Sequence, residues 1–261
     1  QRIREIYPTW FNALTFLIDM QPDLLGQLVE FSGIRSHEFR VVDESFFTFV
    51  SRVDPRNVPI ELRRSIFREV IAYHNRRRQW LPAQLASALH IFFDSSLEEM
   101  LKNEVAEAES RRETDRFVPL GNLSYVVGFL LKEGATLDPS YWRNKILSYV
   151  SRNEEHNVVK RHALYALEKL DDPTVIAEIP DLMKSDELVM RAFVSTCAKL
   201  DPDNPKCLQY FTEAVRNDEL QGIYGFLEVR KLESIKRLLE TFILDAKFRN
   251  EFLDQAAIFS R

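Results

Sequence analysis

The residue types able to do covalent, metal or acid–base chemistry are few, and their spacing is wrong for it. The histidines are His37, His74, His90, His156 and His162. No H-E-x-x-H or C-x-x-C pattern occurs, and His156 and His162, six residues apart, fall on different faces of a helix. Cys197 and Cys207 have no base beside them in sequence. Carboxylate pairs such as Asp171-Asp172 and Glu154-Glu155 stand at turns and helix starts, where capping and solvation account for them. Neither G-x-x-x-x-G-K-[ST] nor G-x-G-x-x-G is present. Gly222-Ile223-Tyr224-Gly225 comes nearest, inside a helical pattern where small residues let two helices approach. Asn122-Leu123-Ser124 fits the N-glycosylation pattern, but a cytosolic chain never meets the transferase. These residues predict a cytoplasmic, non-catalytic chain with no cofactor, no metal and no small-molecule substrate.

The charge pattern is more informative. Between residues 51 and 80, Arg52, Arg56, Arg63, Arg64, Arg68, Arg76, Arg77 and Arg78 face only Asp54, Glu61 and Glu69. The run Arg76-Arg77-Arg78 is followed by Trp80, a cation cluster beside an aromatic. Three readings fit: cations suited to a helix C-terminus, docking to an acidic surface such as residues 98–115, or phosphate contact in a nucleic acid with stacking on the tryptophan. The net charge of −5 counts against a dedicated nucleic-acid binder. Further along, Lys160, Arg161 and Arg191 form a second basic set, either a solvated face or a recognition ridge.

The elements that position these residues read as helices. Only 7 glycines and 11 prolines punctuate the chain, too few for the turns of an all-β fold. No uncharged apolar run reaches the roughly 18 residues of a membrane span. Ile3, Ile6, Trp10, Leu14 and Leu17 recur at helical spacing and predict one buried face. A second helix begins at Pro22 and ends at Gly33, and others are expected at about 38–53, 59–74, 80–109 and 117–135. Residues 98–115 are rich in Glu, with few large apolar residues from Lys102 to Arg116. They read as an exposed helix end or a mobile link, placing a boundary between an irregular helical region, 1–110, and a second region, 111–261. Gln1-Arg2-Ile3-Arg4-Glu5-Ile6, a helix already under way without an initiator Met, reads as part of a longer protein.

The second region repeats. Residues 156–171, HNVVKRHALYALEKLD, align without a gap on 186–201, DELVMRAFVSTCAKLD, and on 218–233, DELQGIYGFLEVRKLE. A second helix follows each, at Val175–Met183, Lys206–Val215 and Ile235–Leu244, giving units 156–185, 186–217 and 218–245. Such helix pairs bury their apolar faces by stacking. The register makes Leu170, Leu200 and Leu232 equivalent core positions, with Leu167, Cys197 and Val229 a turn earlier. Arg161 and Arg191 are equivalent as well. The period, with Asp172-Pro173 and Asp201-Pro202 where each first helix stops, resembles HEAT repeats. The expectation is an all-α, HEAT-like solenoid of stacked antiparallel helix pairs.

Pro8-Thr9-Trp10-Phe11, Leu14, Gln21-Pro22-Asp23-Leu24-Leu25, Pro59-Ile60-Glu61-Leu62-Arg63 and Ile66-Phe67 resemble the helical region behind the ATPase core of bacterial NACHT-type STAND proteins, including Avs-like anti-phage defence proteins. The resemblance implies a scaffold or sensor region recognising a protein trigger. The chain lacks the Walker motifs, so no catalytic residue carries over. A free-standing HEAT-like adaptor fits every residue equally. The expected partner is a protein, with Arg76, Arg77, Arg78, Trp80, Lys160, Arg161 and Arg191 as the candidate surface. The alternative is nucleic acid on residues 51–80.

Overall fold

The computed structural model describes residues 6–32, 52–54, 58–152, 155–182 and 186–201, with Phe49, Arg56, 204–206, Gln209, Tyr210 and Asn250. His37, Cys207, the repeat 218–233 with Val229 and Leu232, and nearly all of the helix expected at 38–53 lie outside these residues. Among the described residues the regular structure is entirely helical. No helix there is long and apolar enough to cross a membrane. The chain divides by its own contacts into two units, 1–142 and 143–261. Composition placed the boundary at 110/111, in the Glu-rich stretch.

In the first unit, Pro8–Trp10 form a 3-10 turn that runs into α1, Phe11–Met20, and α2, Asp23–Ser32, follows. The buried face of α1 differs from the expected one. Phe11 and Ile18 are buried, while Trp10 and Leu17 are exposed. The helix is apolar around most of its circumference, so spacings of three and four fit two faces, and packing selects the one beside Phe49.

α3 spans Ile60–Arg77, three residues beyond the expected end. α4 spans Ala83–Ala88, and 3-10 turns follow at Leu89–Phe92 and Ser95–Leu97. The single helix expected at 80–109 is thus broken. Phe93 and Asp94 are extended, and the Asp94 carboxylate caps the next turn by accepting from the Ser96 N–H at 3.0 Å.

α5, Glu98–Ser110, shows that of the two readings of residues 98–115 most of the stretch is helix and not a link. Leu101, Val105 and Ala108 recur at helical spacing and are buried, and the helix packs on α6. Its glutamates cover the outer face, with Glu98 and Glu99 in the first turn suiting the helix dipole. Three apolar residues in thirteen suffice for one buried stripe, and composition cannot see them among the acids.

α6, Glu113–Lys132, is the central helix. Residues 118–124 and 126–130 are buried, and α3, α4 and α5 all pack on it. Such a helix must be largely apolar, as this one is from Phe117 to Leu131 apart from Asn122 and Ser124. Pro119 within it offers no N–H to the Asp115 carbonyl. The helix stops at Gly134, whose φ of 74° is the left-handed conformation glycine adopts freely.

The second unit begins inside α7, Pro139–Ser151. α8 spans Asn157–Leu167, extended by a 3-10 turn at Glu168–Leu170; α9 spans Val175–Glu178; α10 spans Glu187–Leu200. α8 and α10 pack closely on each other. The two repeats show the same pattern of burial at an offset of 30 residues. Val159, Ala163, Leu164, Ala166 and Leu167 are buried, as are their counterparts Val189, Phe193, Val194, Thr196 and Cys197. Leu170 and Leu200 are equivalent, as expected, but both are only half-buried. They sit where each helix runs out, so the core ends one turn earlier, at Leu167 and Cys197.

Candidate functional site

The helix starts of the two repeats are built alike from different side chains. Asp186 Oδ1 accepts from the Leu188 N–H at 2.9 Å, and His156 Nδ1 accepts from the Val158 N–H at 3.2 Å. Each satisfies one orphan donor of its helix. His156 therefore serves as a cap.

Beyond the caps, α8 carries Val158, Arg161, Tyr165 and Lys169, and α10 carries Leu188, Arg191, Ser195 and Lys199 at the equivalent positions; Leu188 is exposed and the others are half-buried. Arg161 and Arg191 are half-buried at the middle of this paired ridge. Lys160 does not belong to it. It is buried at the position equivalent to Met190, on the inward side of α8. Its charge alone suggested a surface position; the register, applied strictly, places it inside.

The ridge is anchored at one end. Glu168 is buried, and its Oε1 accepts from Lys169 Nζ at 2.8 Å and from Lys199 Nζ at 2.7 Å. Two lysines at equivalent repeat positions thus converge on one carboxylate. The Thr196 hydroxyl, fully buried, lies 2.8 Å from the Ala192 carbonyl and 3.1 Å from that of Leu164, joining α10 to α8. Behind the ridge, Arg143 on α7 reaches the turn before α9. It donates to Asp172 at 3.1 Å and to Glu178, while Asp172 Oδ1 accepts from the Thr174 N–H at 3.0 Å. The hydrogen bond from Arg143 holds the Glu178 carboxyl below its ordinary range. On the inner side, Tyr210 stacks on Phe193 at 4.6 Å, donates to Asp181 at 2.6 Å and accepts from the Leu182 N–H.

Two groups of the second unit have shifted ionisation. His162, on α8, stands edge-on to Tyr165 at 6.3 Å, and burial with the neighbouring Arg161 charge holds its pKa down to about 4. The imidazole is neutral at pH 7, so the ridge charge comes from its arginines and lysines. Lys206 donates to the carbonyls of Ile179 and Pro180, and burial pushes its ammonium below the usual lysine range.

The arginine cluster of the first unit is a helix terminus. Arg78 takes the left-handed conformation, φ 52° and ψ 39°, at the end of α3. The Arg78 N–H donates to the Asn75 carbonyl at 3.3 Å and the Gln79 N–H to the His74 carbonyl at 3.0 Å, the paired pattern of a Schellman stop. The three side chains turn to local partners. Arg78 donates to Asp115 at 2.5 Å, Arg77 lies over the Tyr73 ring at 5.1 Å, and Arg76 is 3.9 Å from Glu69. Trp80 packs beside Phe117 at 6.3 Å and keeps an exposed edge. The geometry combines two of the three readings, cations at a helix C-terminus and contact with the acidic segment 98–115 through Asp115.

The neighbourhood also contains a residue whose role spacing concealed. Asn122, the acceptor of the glycosylation pattern, is 4% exposed inside α6. Its Oδ1 accepts from the Leu81 N–H at 2.9 Å, and its Nδ2 donates to the Gln79 carbonyl at 2.9 Å and to Asn75 Oδ1 at 3.3 Å. It clamps the reversal that follows α3. A polar residue in the middle of an otherwise apolar helix is the signal that marks it. Beside it, burial holds the His74 imidazole down to about 4, and burial with the Glu107 charge raises the Glu104 carboxyl.

Cys197 is buried and reduced on the inward face of α10. Among the described residues, no group of three or more His, Cys, Asp or Glu could hold a metal ion. Comparison with protein-family models, with characterised proteins and with solved structures gave no match.

Proposed function

We propose that this chain is a non-catalytic helical-repeat scaffold that recognises a protein partner, and that the outward ridge of its stacked first helices is the recognition surface. The observation that carries this reading is the equivalence of α8 and α10. The same positions are buried in both segments, and Arg161 and Arg191 recur at the same half-buried place. A repeated inner face is what stacking requires; a repeated arginine is not required by packing. First helices repeating at this period, each opened by a capping residue, support a HEAT-like solenoid over 156–245, although the second helix expected at Val175–Met183 is a single turn, Val175–Glu178. The resemblance of residues 8–25 and 59–67 to the helical region of NACHT-type STAND proteins supports a sensor role of the kind those proteins use. The local pairing of Arg76, Arg77 and Arg78 favours a protein partner over a nucleic acid.

The test compares two variants in affinity capture from the native host, with duplex DNA and RNA titrated in parallel. A partner retained by the Arg76→Ala/Arg77→Ala/Arg78→Ala variant and lost by Arg161→Glu/Arg191→Glu is the expected result. Tight duplex binding at physiological salt that disappears in the triple variant would put the function in residues 51–80 instead.

A further inference from the structure

Among the described residues, the most exposed large apolar side chains gather on α1 and the 3-10 turn that leads into it. Tyr7 is 63% exposed, Trp10 61%, Phe16 64%, Leu17 46% and Met20 70%. Trp10, Leu17 and Met20 follow the three- and four-residue spacing of one helix face. Exposed Ala13 lies between them, Phe16 lies alongside, and Tyr7 continues the line one turn earlier. Phe11 and Ile18, on the other side, are buried. α1 is therefore anchored by one apolar face and presents a second to solvent.

We propose that this stripe is a self-association surface, on which a second copy of the chain docks α1 against α1. This goes beyond the partner-binding ridge and stands or falls separately from it. The area is the first argument. A fully exposed aromatic carries about 150–250 Å², so the fractional exposures above amount to roughly 600 Å² of contiguous apolar surface. A typical monomer's largest patch is about 300–600 Å². Paired with its own copy, the stripe buries roughly 1,200 Å², the lower end of what a stable interface needs.

Charge is the second argument. In an isologous interface each residue meets its own kind, which a charged face forbids and an uncharged one allows. Every residue of the stripe is uncharged. Helices that lie on a membrane surface carry Lys and Arg on the polar face to meet anionic headgroups, and α1 has neither; its one charged residue is Asp19. Trp, Tyr, Phe and Met are also the residues enriched at protein interfaces.

The test is the mass of the full chain in solution, by light scattering and sedimentation equilibrium from about 1 to 100 μM. The mass is expected to rise from 30.6 kDa toward twice that value, with a midpoint in the micromolar range, about 10⁻⁶ M. Phe16→Glu/Met20→Glu and Phe16→Lys/Met20→Lys, at exposed positions, are each expected to stay monomeric with an unchanged far-UV spectrum. Mixed with each other, they are expected to recover the dimer mass, since opposite charges then face across the interface. A wild-type monomer throughout the range overturns the proposal. So does an oligomer indifferent to the substitutions, or sedimentation of the monomer with phosphatidylcholine–phosphatidylserine vesicles.

Discussion

Acidification to pH 5 should weaken this fold through two histidines, the buried His74 in the first unit and the partly buried His162 in the second. His74 and His162 have folded-state pKa values held down to about 4, in each case chiefly by burial, against about 6.5 in an unfolded chain. Above pH 6.5 both states are neutral and the full stability is present. As pH falls from 6.5 toward 4, the unfolded state takes up the proton first, so stability is lost across that window and levels off below it. At about 1.4 kcal/mol per unit, the full loss is roughly 3 kcal/mol per histidine, of which about 2 kcal/mol is gone at pH 5. The raised Glu104 carboxyl acts in the opposite sense and offsets part of this in the first unit. Asp94, pulled down to about 2 by its hydrogen bond from Arg64, titrates below the window. The assay is urea unfolding followed by far-UV circular dichroism at pH 7.5 and pH 5, for wild type, His74→Gln, His162→Gln and the double variant. Each single variant should lose about half as much between the two pH values as wild type does, and the double variant little. A His162→Gln protein with the wild-type difference between pH 7.5 and pH 5 would refute the reasoning for that site. The difference within each variant is the readout, so any cost of the substitution itself cancels.

Three further outcomes follow from the packing. Asn122→Ala should cost about 2–3 kcal/mol in the first unit by equilibrium unfolding, because it strands the Leu81 N–H and the Gln79 carbonyl in a buried place; a neutral result would mean that the clamp contributes nothing. Leu167→Ala should cost about 2–5 kcal/mol, and Leu200→Ala clearly less, since Leu167 is fully buried and Leu200 is not; equal losses would return Leu200 to the core. Cys197 should react with a thiol reagent only as fast as the second unit opens, and rapid labelling of native protein would contradict its burial.

The helical class was legible in the scarcity of glycine and proline, and the matching burial of residues 156–171 and 186–201 was legible in their gapless alignment. The alignment of residues 156–171 on 186–201 correctly placed Leu167 and Cys197 in the core and paired Arg161 with Arg191. Three misplacements share a cause: each depends on which of several chemically acceptable faces the rest of the chain covers. α1 is apolar on two sides, so spacing could not choose between Trp10 and Phe11. Lys160 carries a charge but occupies a core register. In residues 98–115 abundant glutamate hid the stripe Leu101–Val105–Ala108. Asn122 was legible only as a modification pattern, because its partners at Gln79 and Leu81 lie about forty residues away in sequence and meet it only through the reversal after α3.

Glu168 has a consequence for how the second unit breathes. It has no counterpart carboxylate in the next repeat, where Ala198 stands, so the two lysines of consecutive repeats share one acceptor. If α10 frays, Lys199 leaves and a buried carboxylate keeps a single cation. If α8 frays, the acceptor itself is withdrawn from both. Between two helices packed on each other, such an asymmetric tie strengthens the coupling and weakens independent opening of either one. Amide protons of α8 and α10 should then exchange as one cooperative block, and replacing Glu168 with Ala should split the block in two before it lowers the melting temperature appreciably.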